Sequence, residues 1–218
     1  KVSLDNMSQI MYIFCDMNNG YMDLIRKKIR ESQPGSVFTY SDFKNIADSA
    51  TVRKSIERLA KENEIKKIMP GVFYNPSYSN LLKEDLPPDP EKVSEAIARN
   101  FKWNIIPCGD YALNKLGLST QVPAEWSYLS DGPYKEYKFD KIKISFKHRT
   151  NREISNLSYN SALLVQGLKT LGKENVTDEI INQLSKKLKA DDKKKLLDEC
   201  VTASDWIYRT VQKICEEK

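Results

Sequence analysis

Hydrophobic residues recur at helical spacing in two stretches near the start of the chain, residues 21–31 and 50–63. In the second stretch, Val52, Ile56 and Leu59 fall on one narrow stripe when successive residues are placed about 100° apart around an axis. Polar residues occupy the rest of the circumference. Each stretch is therefore predicted to form an amphipathic helix with one buried side.

A shorter helix is predicted between these two, over residues 40–47. Thr39 and Asp42 have the spacing of a capping box, and Phe38 and Phe43 have the spacing of a hydrophobic staple. Asp48 and Ser49, which follow, break this helix and supply oxygen acceptors that can cap the next one. Two helices separated by a tight turn are typical of a helix-turn-helix.

A β-hairpin is predicted directly after the second stretch. Residues 64–74 alternate between apolar and polar positions on both sides of the Pro-Gly pair at 70–71, and such a pair favours a type II turn. Lys66 and Lys67 lie on its first strand. A helix-turn-helix followed at once by a basic hairpin predicts a winged helix-turn-helix DNA-binding domain over residues 21–76.

The polar side of the helix at 50–63, together with the hairpin, carries the residues that we expect to contact DNA. Considered alone, this helix is better explained as a solvated surface, and the hairpin shifts the balance toward binding. The N-terminal half of such a helix enters the major groove, so the candidates for base contact are Thr51, Lys54 and either Arg53 or Arg58. The remaining candidates, which would contact phosphates, are Lys61, Lys66 and Lys67.

The rest of the chain predicts a second domain and an overall α+β fold. Residues 77–90 are rich in proline, serine and charge and are predicted to be a linker, and residues 1–20 an N-terminal arm. A mixed α/β C-terminal domain is predicted over residues 91–218. It contains an antiparallel strand meander over residues 126–149 and terminal helices, the last of which is predicted to start near Asp191.

Basic residues are concentrated in two regions, although the formal net charge is only +5. Residues 22–69 hold 11 Lys and Arg against 7 Asp and Glu, and residues 138–152 hold 6 against 1. The second run is a possible further nucleic-acid surface, for DNA flanks or RNA, because alternate residues of a strand share one face. Its members are Lys138, Lys141, Lys143, Lys147, Arg149 and Arg152.

Composition argues against several other kinds of protein. Neither a membrane span nor a signal peptide is expected, because the best apolar run covers only residues 10–15. A glycine-rich phosphate loop is also missing. With a single histidine, the scattered cysteines predict buried thiols in a reducing compartment and no zinc site. These cysteines are Cys15, Cys108, Cys200 and Cys215. We therefore expect a cytoplasmic protein that needs no metal or cofactor.

One pattern faintly resembles the metal site of restriction-type nucleases. Glu136 and Lys138 form an ExK triplet on a predicted strand, with Asp110 or Asp131 upstream. Asp131 is too close to the triplet, and Asp110 falls at a predicted helix start. A DNA-targeted nuclease is therefore the weaker alternative, and we expect no catalytic residues and no enzyme. His148 lies between two cations and is expected at the surface or against a phosphate.

The chain resembles the AbiEi-like antitoxins of bacterial toxin–antitoxin and abortive-infection operons over residues 25–149. One matching block is the predicted third helix and hairpin, VRKSIERLAKENEIKKIMPGVFYNP. The other is IIPCGDYALNKLGLSTQVPAEWSYLSDG, residues 105–132. This second block is similar to the segment that joins the winged helix of that family to its C-terminal domain, and winged helices of other families lack it.

The resemblance implies a cytoplasmic antitoxin that binds double-stranded operator DNA through its winged helix and represses its own operon. It also implies that the non-enzymatic C-terminal domain counteracts a cognate nucleotidyltransferase-like toxin without requiring a stable complex. The positions that match the family's winged helix are Thr51, Arg53, Lys54, Arg58, Lys66 and Lys67.

A plainer alternative is a winged-helix transcriptional repressor whose C-terminal domain senses a small molecule or dimerises through the last helix. The neighbouring gene distinguishes the two. A cotranscribed nucleotidyltransferase-like gene, toxic alone and harmless beside this one, supports the antitoxin.

Overall fold

The computed structural model of the protein describes residues 20–149 and 157–216. The fold is mixed α+β, as predicted, and the chain divides into two compact units between Phe101 and Lys102. Nearly all of the predicted arm at 1–20 lies outside the described residues. Within the described residues, no helix combines the length and apolar character that crossing a bilayer requires.

The first unit has helices at both ends of its described sequence and three short β-strands that pair as one sheet in the order β1-β3-β2. Both pairings in this sheet are antiparallel, and β4 and β5 form a separate antiparallel pair. The elements are α1 (residues 20–30), β1 (Val37–Thr39), a 3-10 helix (Tyr40–Phe43), α2 (Ser49–Lys61), β2 (Lys66–Met69), β3 (Val72–Tyr74), β4 (Tyr78–Ser79), β5 (Glu84–Asp85) and α3 (Pro90–Phe101).

The core of this unit is formed by the apolar stripes predicted for the two amphipathic helices. Ile25 on α1 and Val52 on α2 are fully buried, and Phe73 of the sheet is buried with them. The remaining members of the core are Met22, Ile29, Phe38, Phe43, Ile56, Leu59 and Ile65. Burying this apolar surface fixes which side of α2 faces outward.

The helix predicted over residues 40–47 is shorter than expected, since only Tyr40–Phe43 form a 3-10 helix. The capping box is present, and the backbone N–H of Thr39 donates to Asp42 Oδ2 at 2.7 Å. Beyond it, the backbone N–H of Ile46 donates to the carbonyl of Phe43 at 2.9 Å, three residues back. Such bonds form tighter turns than an α-helix, so the segment coils into turns before α2.

Helix α3 belongs to the first unit, although the sequence interpretation placed the domain boundary in a linker at 77–90. The Arg99 guanidinium donates to both carboxylate oxygens of Asp42, at 2.7 and 3.2 Å, and to the carbonyl of Val37 at 3.2 Å. These contacts attach α3 to β1 and to the 3-10 helix that follows it. The supposed linker itself contains the β4–β5 hairpin.

The second unit is a four-stranded sheet with helices packed beside it, and its strands are ordered β6-β7-β9-β8. Gly109 precedes α4 with φ +62, a conformation that favours glycine. The elements are β6 (Ile105–Pro107), α4 (Asp110–Lys115), β7 (Trp126–Ser130), β8 (Lys135–Phe139), β9 (Ile142–His148), α5 (Tyr159–Leu171), a 3-10 helix (Lys173–Asn175), α6 (Asp178–Lys187), α7 (Ala190–Glu199), a 3-10 helix (Cys200–Thr202) and α8 (Asp205–Glu216).

The predicted antiparallel meander over 126–149 is wrong, because β9 lies between β7 and β8 and pairs with β7 in parallel. The register places Trp126 opposite Ile144 and Tyr128 opposite Phe146, so bulky residues of both strands share one face. Strand β8 is mostly exposed and forms the edge of the sheet. Burial of the apolar strand β9 in the middle of the sheet explains the order.

The long last helix predicted from near Asp191 is two helices, α7 and α8, separated by a 3-10 turn. The Ser204 carbonyl accepts hydrogen bonds from the N–H groups of Ile207 and Tyr208 and so begins α8. Residues on both sides of the break, such as Leu196 and Val211, join one core. The apolar spacing therefore continues across the break and made the segment resemble one helix.

Candidate nucleic-acid interface

Helix α2 begins where the sequence predicts, because Asp48 caps it. The Asp48 carboxylate accepts hydrogen bonds from the N–H groups of Ala50 at 2.9 Å and Thr51 at 3.1 Å. Together with a bond from the Thr51 hydroxyl, they hold the pKa of Asp48 below its usual value. Thr51, which was expected to reach a base edge, is half-buried and takes part in this cap.

The outward side of α2 carries four exposed cations, Arg53, Lys54, Arg58 and Lys61. Among residues 20–149 and 157–216, Lys54 and Lys61 have no ion-pair partner. The Arg53 guanidinium lies over the Tyr40 ring, 5.4 Å from its centroid, and Arg58 Nε is 2.9 Å from a Glu62 carboxylate oxygen. The four predicted helix cations thus share one surface but differ in how freely they can contact a ligand.

The β2–β3 hairpin lies next to this surface and has the turn predicted for it. Gly71 has φ +79, the value that the third position of a type II turn requires. Lys66 and Lys67 are both exposed on β2, one of the two edge strands of its sheet. Lys66 Nζ is 2.7 Å from an Asp85 carboxylate oxygen, so this lysine is held by the neighbouring β4–β5 hairpin.

Glu57 joins α2 to the hairpin. Its Oε1 accepts a hydrogen bond from the Tyr40 hydroxyl at 2.7 Å, and Lys67 Nζ lies 3.1 Å from Oε1 and 3.4 Å from Oε2. Donation by Tyr40 and Lys67 lowers the pKa of Glu57, while burial and Glu57 raise the pKa of Tyr40 to about 12. At neutral pH the carboxylate is therefore ionised, and the phenol keeps the proton that it donates.

The far end of α2 is attached to α1 by Arg26. Its guanidinium lies 2.8 Å from Glu64, 3.2 Å from Glu62 and 2.7 Å from Asp23. Hydrogen bonding to Glu64 raises the pKa of Arg26 and outweighs its burial. These contacts hold the residues that end α2 against the first helix.

The second predicted nucleic-acid surface contains both exposed cations and an ion-paired one. Lys141, Lys147 and Arg149 are exposed, but Lys143 Nζ lies 2.9 Å from Glu136 and 3.2 Å from Glu125. Both carboxylates raise the pKa of Lys143. The central lysine of this run is therefore neutralised within its own sheet, and Arg152 lies outside the described residues.

Two acidic residues of the predicted nuclease pattern, Asp131 and Glu136, have partners within the second unit. Both oxygens of Asp131 accept hydrogen bonds from Asn104, at 2.9 Å from its backbone N–H and 2.8 Å from its side chain. Glu136 is paired with Lys143. Within residues 20–149 and 157–216, no three His, Cys, Asp or Glu side chains are grouped so as to hold a metal ion.

The histidine and the described cysteines lie in the second unit, where the histidine contacts a backbone carbonyl and two of the cysteines are buried. His148 Nδ1 lies 2.8 Å from the carbonyl of Gly132, a contact that joins the end of β9 to the turn after β7. Cys108 and Cys200 are buried thiols, as predicted, whereas Cys215 is only partly buried. Burial raises the pKa of Cys200 to about 11. Cys15 lies outside the described residues.

The sequence interpretation missed three residues of this surface: Tyr40, Glu57 and Asp85. Glu57 has a signal in the sequence, because helical spacing places it beside Lys61 on the outward side. Asp85 has none, since its pairing depends on a hairpin within the segment predicted to be a linker.

Comparison with known proteins identifies the family of the chain. No protein with a curated description matches the chain. The profile of a family of unknown function, DUF6088, matches residues 24–196 and so includes most of both units. The chain therefore belongs to the family of unknown function DUF6088.

Proposed function

We propose that the first unit is a winged helix-turn-helix that binds double-stranded DNA. The observation that carries the proposal is the juxtaposition of two basic elements, since Glu57 on α2 contacts Lys67 on the hairpin at 3.1 Å. In this proposal α2 is the recognition helix and the β2–β3 hairpin is the wing. A helix of 13 residues extends about 20 Å and fits the width of the major groove in cross-section.

The positions of the cations favour different contacts with DNA, some with base edges and others with phosphates. Lys54 lies toward the N-terminal half of α2, which favours contact with base edges. Lys61 lies at the C-terminal end and Lys67 on the hairpin, positions that favour phosphate contact. Arg53 and Arg58 extend the same surface on either flank. DNA phosphates would compete with Glu62 for Arg58 and with Asp85 for Lys66.

We further propose that the protein is a bacterial antitoxin that represses its own operon and counteracts a nucleotidyltransferase-like toxin. This part rests on the resemblance of residues 105–132. That segment covers β6, α4 and β7, and Gln183 and Lys187 of α6 donate hydrogen bonds to the carbonyls of Gly117 at 2.7 Å and Leu116 at 2.5 Å. A repressor of this kind acts in the cytoplasm, where the buried thiols stay reduced.

Fluorescence anisotropy with a duplex covering the region upstream of the gene tests the DNA-binding part. The double variant Lys54→Ala/Lys61→Ala should bind at least about tenfold more weakly than the wild type, because two contacts are lost. The matched control is Lys186→Ala/Lys194→Ala, which removes the same charge from exposed positions of the second unit. Equal weakening by both double variants would contradict a local interface.

Co-expression tests the antitoxin part. The neighbouring toxin gene should arrest growth when expressed alone, and growth should return when this protein is expressed with it. Rescue should persist in Lys54→Ala/Lys61→Ala if the second unit is responsible for antagonism. Failure of the wild type to restore growth would refute the antitoxin proposal and leave the DNA-binding test unaffected.

A further inference from the structure

A carboxylate occupies the middle of the basic surface. With about 100° per residue, Glu57 lies about 60° from Lys54 and about 40° from Lys61 around α2. Its side chain is 36 % exposed. Glu57 thus faces the same way as the cations proposed to meet DNA, and a negative charge there weakens attraction to any polyanion.

The carboxylate is held in one place by donors from two other elements. Tyr40 from the 3-10 helix and Lys67 from β2 both donate to Oε1, at 2.7 and 3.1 Å. Among the residues that the structure describes, Oε2 has only the longer contact with Lys67, at 3.4 Å, so it keeps acceptor capacity for a ligand. The Tyr40 ring packs in turn against the Phe73 ring in a tilted arrangement, with ring centroids 5.5 Å apart.

Base-edge chemistry selects what such an acceptor can bind in the major groove. Cytosine presents its N4 amino group there as a donor, whereas adenine presents an N6 donor next to the N7 acceptor. A carboxylate accepts and does not donate, so N7 would repel its second oxygen. Guanine presents two acceptors and thymine an acceptor and a methyl group, and neither satisfies a carboxylate.

We propose that Glu57 determines sequence specificity by accepting a hydrogen bond from the N4 amino group of a cytosine in the major groove. The inference rests on the proposed DNA-binding function and deepens it. Tyr40 and Lys67 are positioning residues that aim the carboxylate, and Lys67 also offsets part of its repulsion of phosphates. Glu57 therefore lowers affinity for most sequences and restores it only where the cytosine is present.

Selection from a library of duplexes with randomised cores tests this inference directly. The wild type should enrich a motif with a cytosine that Glu57→Gln no longer enriches, because the glutamine amide prefers adenine. Lys61→Ala is the matched control on the same face: it should weaken binding to all duplexes and keep the cytosine. Melting temperatures of the three proteins confirm that each is folded.

A double-mutant cycle, which combines Glu57→Gln with a single base-pair change in the duplex, then measures how much Glu57 contributes to discrimination. Replacing the selected C·G pair by T·A should weaken wild-type binding at least about fivefold and change Glu57→Gln binding less than about twofold. If Glu57 only joins α2 to the hairpin, the variant weakens binding to all duplexes alike and selects the wild-type motif, which overturns the inference. If the wild type enriches no motif and binds no duplex, the proposed function itself fails.

Discussion

Two regions of the chain are rich in Lys and Arg, yet they present their charges differently. On α2, Lys54 and Lys61 are exposed and have no ion-pair partner among the residues that the structure describes. On β9, Lys143 lies between Glu136 at 2.9 Å and Glu125 at 3.2 Å. The helix offers cations to a ligand, whereas the central cation of the strand is already paired.

The difference arises from the neighbours that each element gives its side chains. A residue in a sheet faces side chains of adjacent strands about 5 Å away, so Lys143 on β9 readily meets a carboxylate of β8. On the outward side of a helix, neighbours on the same helix lie three and four positions away, and another element reaches it only where it packs beside it, as the hairpin does at Glu57. A count of charges along a sequence therefore overstates the cations available on a strand.

The largest contrast should come from charge reversal. Lys54→Glu/Lys61→Glu should weaken duplex binding at least about 100-fold, because two attractive contacts become repulsive. Lys147→Glu/Arg149→Glu should change it less than about threefold. Anisotropy at one fixed salt concentration measures both. Similar losses in the two variants would show that both basic regions contact DNA.

Asp42 contributes to the stability of the first unit, which carries α2. Burial raises the pKa of Asp42, but hydrogen bonds from Arg99 and from Thr39 outweigh this and leave it below the usual value. Asp42→Asn should destabilise the first unit by about 1–2 kcal/mol at pH 7, a figure reduced because the Arg99 guanidinium is half exposed.

The destabilisation caused by Asp42→Asn should disappear as the pH falls. A carboxyl whose folded pKa is depressed stabilises the protein above its unfolded pKa of about 4 and loses this stabilisation as the pH falls further. Urea unfolding at several pH values should therefore show the wild type and Asp42→Asn converging below about pH 4. A difference that stays constant to pH 2 would rule out ionisation as the cause.

A smaller effect should come from releasing a hairpin cation. Lys66 is held by Asp85 at 2.7 Å, so Asp85→Asn should free it for phosphate contact. We expect duplex affinity to rise about two- to threefold, with a slightly steeper salt dependence. Unchanged affinity would place Lys66 outside the interface.

The smallest effect is expected at the paired lysine of the second region. Lys143→Ala should change duplex affinity less than about 1.5-fold, because its charge is already neutralised by Glu125 and Glu136. Competition anisotropy against wild type can resolve such a change. A loss of tenfold would show that DNA displaces both carboxylates.

Local signals predicted much of the first unit. The cap at Asp48 and the turn at Gly71 depend on residues close in sequence, and both are present as predicted. The parallel pairing of β7 and β9 was not predicted, because strand order depends on packing of residues far apart in the chain. The break before Asp205 was also missed, since the apolar spacing continues across it.

The candidate site could be predicted only in part for the same reason. Helical spacing identified the outward cations of α2, but it could not show which of them have partners. The contact between Glu57 and Lys67 spans ten residues and exists only because the hairpin folds back beside the helix. Pairing of side chains across elements is therefore the information that the sequence pattern lacked.

The salt dependence of duplex binding tests the central claim most directly. In the wild type, log affinity should fall linearly with log salt concentration, by about 0.9 per phosphate contact. Lys54→Ala/Lys61→Ala should reduce that slope by about 1–2, while Lys147→Ala/Arg149→Ala should leave it unchanged. A slope that is lowered by the strand variant and not by the helix variant would contradict the proposed interface.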